Sequence, residues 1–165
     1  MSKINISKIV VQHMKTLRVY GTEKSSRLDL LLFFGAPLVF AIIIVSFGMR
    51  VNDASVGILL SAFAILTGFL FNLLVFLYSL IPRGEDAVKD EDPVKKVVLE
   101  QTFHNISYSV LLGLCLTIIC GLGMIGNELI GLCVTFLTCF LGAHLFLTII
   151  MVLKRFHSLL ENEIG

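Results

Sequence analysis

Residues 54–81 read ASVGILLSAFAILTGFLFNLLVFLYSLI, and this stretch decides the class of fold. It contains no Lys, Arg, Asp or Glu, and Pro82 follows it directly. At a rise of about 1.5 Å per residue, a helix of this length would extend roughly 40 Å, while the hydrocarbon core of a bilayer is about 30 Å thick. A water-soluble helix needs a polar face, and this one is apolar on all sides. The stretch therefore predicts a membrane-spanning helix.

Small and polar residues recur along one side of that predicted helix, at steps of three and four positions. This side, which we call the Asn72 stripe, consists of Gly57, Ser61, Ala64, Gly68 and Asn72. Asn72 carries the only strongly polar side chain in the run, and an amide in apolar surroundings needs a hydrogen-bond partner. We therefore expect the other spans to supply the surface that packs against the Asn72 stripe.

The composition of the whole chain agrees with a membrane protein. Charged residues make up 15% of its 165 residues, against about 25% in soluble domains, and the mean hydropathy is +0.93. The net charge of +1 gives no sign of a nucleic-acid-binding domain. The four cysteines lie in apolar runs without metal-ligand spacing, and we interpret them as structural thiols. They are Cys115, Cys120, Cys133 and Cys139.

Three further apolar runs predict an all-α membrane protein whose four transmembrane helices form two hairpins. The predicted spans are residues 28–49, 54–81, 103–125 and 128–153. Outside them lie the basic amphipathic segment 1–27, the charged loop 82–102 and the tail 154–165. Asp92-Pro93 pairs a good N-cap residue with proline at the first helical position, so the third helix is expected to begin there, before its span.

Pro37 lies in the middle of the first predicted span. Its ring removes one backbone hydrogen-bond donor and kinks a helix. In a membrane the carbonyl group that loses its partner must be satisfied from elsewhere. We expect a neighbouring helix to provide that partner.

The distribution of cations predicts the orientation of the chain. Twelve of the thirteen Lys and Arg residues lie in the N-terminal segment, the central loop or the C-terminal tail, and only Arg50 lies at the other end of the hairpins. Because cytoplasmic segments of membrane proteins carry the excess of Lys and Arg, both termini are predicted to be cytoplasmic.

The N-terminal segment carries apolar residues at helical spacing and predicts an amphipathic helix over about residues 7–20. The residues that recur at this spacing are Ile6, Ile9, Val10, His13, Met14 and Leu17. The favoured interpretation is a helix that lies on the lipid headgroups and is anchored by its cations. The alternative is a cytoplasmic gate or a platform for a ligand.

The third helix carries a second row of small and polar residues, one every four positions. This row, which we call the Asn105 stripe, consists of Asn105, Ser109, Gly113, Thr117 and Gly121. Such a row allows two membrane helices to approach closely and to form hydrogen bonds across their interface. It is also compatible with the wall of a pore. Close packing is favoured, and both interpretations hold if one helix packs while another lines a pore.

His144 is a second polar residue predicted to lie inside the membrane. Counted from Pro82 and from Lys154, Asn72 and His144 are both ten residues deep, which corresponds to roughly 15 Å. We therefore expect a hydrogen bond between them, which would satisfy both side chains. A proton relay would need an acidic partner within the bilayer, and the sequence places none there. The structural interpretation of His144 is favoured.

The sequence carries no signature of an enzyme. It has no glycine-rich phosphate loop, no H-E-x-x-H and no G-x-S-x-G, and we expect neither catalysis nor a cofactor. A secondary transporter is poorly supported, because a charged coupling site within the spans is missing. A passive pore needs no such site.

Two segments of the chain are similar to a known group of proteins. GFLFNLLVFLYSLI at residues 68–81 and FHNISYSVLLG at residues 103–113 resemble small bacterial four-span membrane effectors of anti-phage defence. The nearest resemblance is to the Hailong-type channel effectors, which are encoded beside nucleotidyltransferases. It covers roughly residues 28–153, and its distinctive positions are Asn72, His104, Asn105 and Tyr108.

The resemblance implies a homotetrameric ion channel of the inner membrane whose opening is toxic. It also implies that an oligodeoxyadenylate made by the partner nucleotidyltransferase holds the channel closed until infection removes it. An anionic ligand would need cytoplasmic cations, and a base would need an aromatic ring on which to stack. The N-terminal candidates are Lys8, Lys15, Arg18, Tyr20 and Lys24. Positive-inside orientation explains the same cations without a ligand.

Two other functions fit the sequence. One is a membrane subunit that docks a cytoplasmic partner through its helical extensions and the charged loop. The other is a holin-like protein that forms large lesions of variable size.

Overall fold

The computed structural model describes residues 6–16, 31–51, 53–80, 93–124 and 128–164. The described residues form helices and short turns, without a strand. The α-helices are α1 (Ile6–Thr16), α2 (Ala36–Ser46), α3 (Asp53–Leu80), α4 (Pro93–Gly123) and α5 (Glu128–Ile164). A π-helical segment, Leu31–Gly35, leads directly into α2. The prediction of an all-α fold is confirmed for the described residues.

Three helices are long and apolar enough to cross a membrane. These stretches are Ala54–Ser79 of α3, Lys96–Gly123 of α4 and Glu128–His157 of α5. The fourth apolar helical stretch, Leu31–Ser46, is shorter and would measure about 24 Å along its axis. Residues 28–30 of the predicted first span lie outside the described residues, so a fourth crossing stays a prediction.

The helix boundaries agree with the local sequence signals. Helix α4 begins at Pro93, as the proline at a first helical position predicts. The last helix continues without a break to Ile164, so the predicted tail extends the fourth span as the same helix. The first helix ends at Thr16, and the rest of the amphipathic stretch predicted to residue 20 lies outside the described residues.

Helix α4 occupies the centre of the described fold. It packs against α3 on one side and α5 on another, while α2 packs against α5 and α1 packs against α4. Among the described residues, no Cα atom of α2 lies within 8 Å of one of α3. The long helices therefore follow the order α3, α4, α5, α2, and the two outer members have no neighbour on their free sides within the described chain.

The core lies where α3, α4 and α5 meet. Its most buried apolar side chains come from all three helices and include Leu77, Ile106, Leu116 and Leu145. Glycines determine the spacing at two points, because there is no room for a larger residue. A Cβ atom added to Gly113 would collide with the side chain of Thr67 on α3, and one added to Gly123 would lie 2.9 Å from Cγ1 of Val134 on α5.

The turn after α2 is fixed by one glycine and one hydrogen bond. Gly48 has a φ of 70°, a left-handed conformation that glycine adopts without steric cost. The backbone N–H of Val51 donates to Oγ1 of Thr135 at 3.1 Å, which ties the turn to α5. Arg50 and Glu128 lie 3.8 Å apart at the same end, but both are well exposed and such pairs contribute little to stability.

Candidate functional site

Pro37 creates an unsatisfied carbonyl group that an imidazole from another helix satisfies. Because proline has no N–H, the carbonyl of Phe33, four residues earlier, loses its α-helical donor. Nδ1 of His144 on α5 lies 2.8 Å from that carbonyl oxygen and donates to it. The chain is π-helical immediately before Pro37, from Leu31 to Gly35. The expectation that a neighbouring helix satisfies the freed carbonyl is confirmed.

The same bond determines the tautomer of His144. With its hydrogen on Nδ1, the neutral ring accepts at Nε2, where the Tyr108 hydroxyl lies 3.0 Å away and donates. The side chain of His144 is fully enclosed, with 1% of its surface exposed, and the ring of Phe34 lies 4.8 Å from it between centroids. His144 therefore joins α4, α5 and the π-helical segment through two hydrogen bonds.

The predicted hydrogen bond between Asn72 and His144 is wrong. Both ring nitrogens of His144 are occupied, and Asn72 is exposed on α3 without a hydrogen bond to another described residue. The depths of the two residues along their helices gave no information about the direction in which each side chain points. Asn72 faces outward from α3, whereas His144 is enclosed between α4, α5 and the π-helical segment, so the two side chains do not meet.

Helix α1 is inserted against α4 through two polar residues. Nδ1 of His13 lies 2.9 Å from Oδ1 of Asn105, and the Thr16 hydroxyl lies 2.5 Å from the same oxygen. The His13 ring also stacks on the ring of Tyr108, with centroids 3.9 Å apart and planes inclined by 7°. Both His13 and Thr16 are buried. The interpretation of α1 as a helix that rests on lipid headgroups is therefore corrected, because one of its faces packs against protein.

Two polar atoms at this contact have no partner. The accepting Oδ1 of Asn105 places the His13 hydrogen on Nδ1, so Nε2 carries a lone pair. Within the described part of the chain, neither His13 Nε2 nor Asn105 Nδ2 forms a hydrogen bond, and both are buried. Burial lowers the pKa of His13 to about 4, and the positive charge of Arg155 acts in the same direction, while the bond to Asn105 opposes them.

Arg155 of α5 connects Thr16, the last residue of α1, to α4. Its Nη1 donates to Oε1 of Gln101 on α4 at 2.8 Å, and its Nη2 donates to the backbone carbonyl of Thr16 at 2.7 Å. The carbonyls of the last helical turn have no partner within their own helix, so a cation that donates to one of them stabilises that helix end. Arg155 belongs to α5 and thus joins three helices.

Replacing Arg155 by lysine is expected to loosen α1 without unfolding the long helices. An ammonium group keeps the charge but cannot reproduce the planar fork that reaches Gln101 and Thr16 together. The expected cost is about 1.5–3 kcal/mol for one charge-assisted hydrogen bond. Hydrogen exchange of the α1 amides should report the loss, with Lys154→Arg at the adjacent exposed position as the control. Unchanged protection of α1 in Arg155→Lys would contradict the role.

The structure divides the Asn105 stripe between several environments. Asn105, Ser109 and Gly113 are buried, while Thr117 and Gly121 are partly exposed. Asn105 contacts α1, and Gly113 lies against Thr67 of α3. The hydroxyl groups of Ser109 and Thr117 donate to backbone carbonyls one turn earlier on their own helix. Close packing within one subunit thus explains the first half of the stripe.

The Asn72 stripe, in contrast to the buried part of the Asn105 stripe, lies on the outer surface of the described subunit. Ser61, Ala64, Gly68 and Asn72 are exposed, and a Cβ atom added to Gly68 would meet no atom within 4 Å. At about 100° per residue these positions lie opposite the buried face of α3. That buried face includes Val56, Thr67, Leu70 and Leu77. The expectation that another span of this chain packs against the stripe is wrong for the described helices.

The candidate ligand residues are only partly described. Lys8 and Lys15 lie on exposed positions of α1, while Arg18, Tyr20 and Lys24 lie outside the described residues. Whether the five candidates form one site therefore stays a prediction. All four cysteines are free, and they range from buried Cys120 to exposed Cys133.

Sequence reasoning missed the network that connects His13, Asn105, Tyr108 and His144. Two signals were present: a histidine among the apolar positions of an amphipathic helix, and a tyrosine one turn beyond His104 in the third helix. Neither signal predicts the partner of the residue, because the partners lie on helices that are far apart in the chain. The carbonyl of Phe33 could have been named from Pro37 alone, by counting back four residues.

The described residues thus hold an internal polar network and an outward polar stripe. No group of three His, Cys, Asp or Glu side chains suited to a metal ion occurs within these residues. Comparison of the chain with protein-family models, with curated proteins and with solved structures finds no match in any of the three.

Proposed function

We propose that this protein is an ion channel formed by several copies of the chain in a membrane, with the Asn72 stripe turned toward the shared axis. The observation that carries the proposal is the position of Asn72. Its amide is exposed on α3, and only 11% of the most apolar part of that helix is buried in the described fold. Polar side chains within membrane helices face a bundle interior or a water-filled cavity, because lipid offers them no hydrogen bond.

The residues around Asn72 suit an axis between copies. Gly68 and Ser61 are small enough to let helices approach closely, and their exposed surfaces meet no other described helix. Large apolar side chains, including Ile65, Phe69 and Phe71, border the stripe and are exposed. In an assembled ring, the small residues and the amide would line the path for ions, and the large side chains would pack between subunits or against lipid.

The arrangement of the helices within the subunit also supports the assembly of several copies. α3 and α2 form the two free sides of the described subunit, so each has apolar surface to cover. We propose that the chain crosses the inner membrane four times, with its first crossing over residues 28–49 and both termini in the cytoplasm. In this orientation α1 and Arg155 lie at the cytoplasmic mouth, and Arg50 and Glu128 lie at the outer end.

The resemblance to Hailong-type effectors extends the proposal to a biological role. The channel would be a tetramer that damages the cell when it opens, and an oligodeoxyadenylate from a partner nucleotidyltransferase would keep it closed. Exposed Lys8 and Lys15 on α1 suit an anionic ligand on the cytoplasmic side. This extension rests on the resemblance and on these cations, whereas the channel itself is argued from Asn72.

Mass measurement of the complex in detergent, combined with ion flux into liposomes, tests the proposed channel. A single closed oligomer that conducts ions supports it. A monomer that recovers only with a different protein supports the alternative of an interaction subunit, and a broad range of large assemblies supports the holin-like alternative. Purified protein that never conducts, with or without an oligodeoxyadenylate, overturns the proposal.

The variant Asn72→Leu is expected to weaken assembly and reduce ion flux without unfolding the subunit. The substitution removes an amide that contributes about 1 kcal/mol per subunit if it bonds between copies, and it makes the axis apolar. Ile118→Leu, at an exposed position on α4, is the control that changes shape without changing polarity. An Asn72→Leu protein that assembles and conducts like the wild type would exclude the Asn72 stripe from the axis.

A further inference from the structure

The contact between α1 and the rest of the subunit depends on a few specific anchors. His13 bonds to Asn105 and stacks on Tyr108, and the carbonyl of Thr16 accepts from Arg155. The opposite side of α1 is exposed and partly apolar, since Ile6 is 49% and Val11 is 51% exposed. The helix therefore has one face that packs against protein and another that is exposed and partly apolar.

The docked geometry accepts only a neutral His13. Nδ1 already carries a hydrogen and donates it to Asn105, so protonation would add a second N–H at Nε2. That nitrogen is buried without a described acceptor, and the residue has no exposed surface. A buried donor without a partner is costly, and a buried charge without a counterion is more so.

The groups that face His13 offer no compensation for a positive charge. From α4 it meets Asn105 and Tyr108, which are uncharged. From α5 it meets His144, whose ring centroid is 6.3 Å away, and the cation Arg155, which lowers the pKa of His13 through its charge. Within α1, the uncharged hydroxyl of Thr16 donates to the backbone carbonyl of His13. None of these groups is a carboxylate.

We propose that α1 is a pH-sensitive latch, held on α4 by neutral His13 and released when His13 is protonated. The inference does not require the protein to be a channel, because it concerns a contact within one subunit. It assigns to the buried histidine a regulatory role in addition to packing.

The direction of the pH effect follows from linkage. His13 has a pKa of about 4 when docked, against 6.5 for a free histidine, so the undocked helix binds the proton more tightly. Docking is therefore fully stable above pH 6.5 and loses stability as the pH falls from 6.5 toward 4. Between pH 7.5 and 5.5 the docking equilibrium constant should fall about tenfold.

A released α1 has an alternative place to bind. Its apolar residues and its exposed Lys8 and Lys15 are typical of helices that lie on anionic lipid headgroups. The helix then has two states, one packed on α4 and one resting on the membrane surface. The proton shifts the population between them.

Hydrogen exchange of the α1 amides in lipid nanodiscs tests the latch. After correction for intrinsic exchange rates, the protection factors of the wild type should fall about tenfold between pH 7.5 and 5.5. His13→Gln, whose amide can still donate to Asn105 but cannot be protonated, should show no such fall. His157→Gln, which removes an exposed histidine of α5, is the matched control and should respond like the wild type. Loss of protection in His13→Gln equal to that of the wild type would overturn the latch.

A second measurement decides the outcome if His13→Gln fails to dock at either pH. Titration of the four histidines by NMR, with the His13 signal assigned by its absence in the variant, gives the pKa of His13 in the wild-type protein. A value below about 5 while α1 is docked supports the latch. A value at or above 6.5 overturns it, because docking would then not distinguish the two protonation states.

Discussion

Replacing Gly113 by leucine is expected to separate α3 from α4. The position has no room even for a methyl group, because an added Cβ atom would collide with the side chain of Thr67. Both residues are buried at the contact between the two helices, so the collision cannot be relieved toward lipid. The expected loss is about 3 kcal/mol of unfolding free energy, at the upper end for overpacked sites. Unfolding in detergent, followed by circular dichroism, measures it.

Gly68→Leu is the matched control, because Gly68 lies on α3 with no atom within 4 Å of an added Cβ. This variant should keep the stability of the subunit, and if the Asn72 stripe lies at the axis of an oligomer, it should lose assembly instead. Thr67→Ala should partly restore Gly113→Ala, since it removes the hydroxyl nearest to the added carbon. A Gly113→Leu protein as stable as the wild type would contradict the close contact of α3 and α4.

Replacing His144 by leucine is expected to leave two buried groups without partners. The carbonyl of Phe33 loses its donor, and the hydroxyl of Tyr108 loses its acceptor. At about 1–3 kcal/mol for each of the two buried unsatisfied groups, the variant should lose about 2–6 kcal/mol of unfolding free energy. His157→Leu changes an exposed histidine on the same helix and should cost far less.

A double-mutant cycle with Pro37 tests the cause of that loss. Alanine at position 37 has an N–H that can bond to the carbonyl of Phe33 within the helix, so His144 is no longer its only donor. Pro37→Ala should therefore reduce the cost of His144→Leu, with a coupling free energy of about 1 kcal/mol. Strictly additive effects of the two substitutions would show that His144 does not compensate for the proline.

Local sequence signals predicted the helices with good accuracy. The apolar run at residues 54–81 became α3 over Asp53–Leu80, and the proline of the central loop began α4. The need for a partner near Pro37 also followed from the chain, because the missing N–H is a property of one residue. Helix length, helix ends and lost hydrogen bonds all depend on residues within a few positions of each other.

The choice of contacts could not be predicted in the same way. Both stripes of small residues read alike in the sequence, yet the buried part of the Asn105 stripe packs against α1 and α3 while the Asn72 stripe faces outward. Asn72 and His144 matched in depth but not in direction. An apolar helix has no polar face to orient it, so its rotation about its own axis is set by the neighbours that it meets.

The sequence alone determined that this chain forms long apolar helices suited to a membrane, because the length and composition of each run are local properties. Only the tertiary structure decided that α1 docks on α4 through His13 and that His144 bonds to Phe33 and Tyr108. These contacts join residues separated by 36 to 111 positions, and they are selected by shape and hydrogen bonding between packed helices, which hydropathy does not encode.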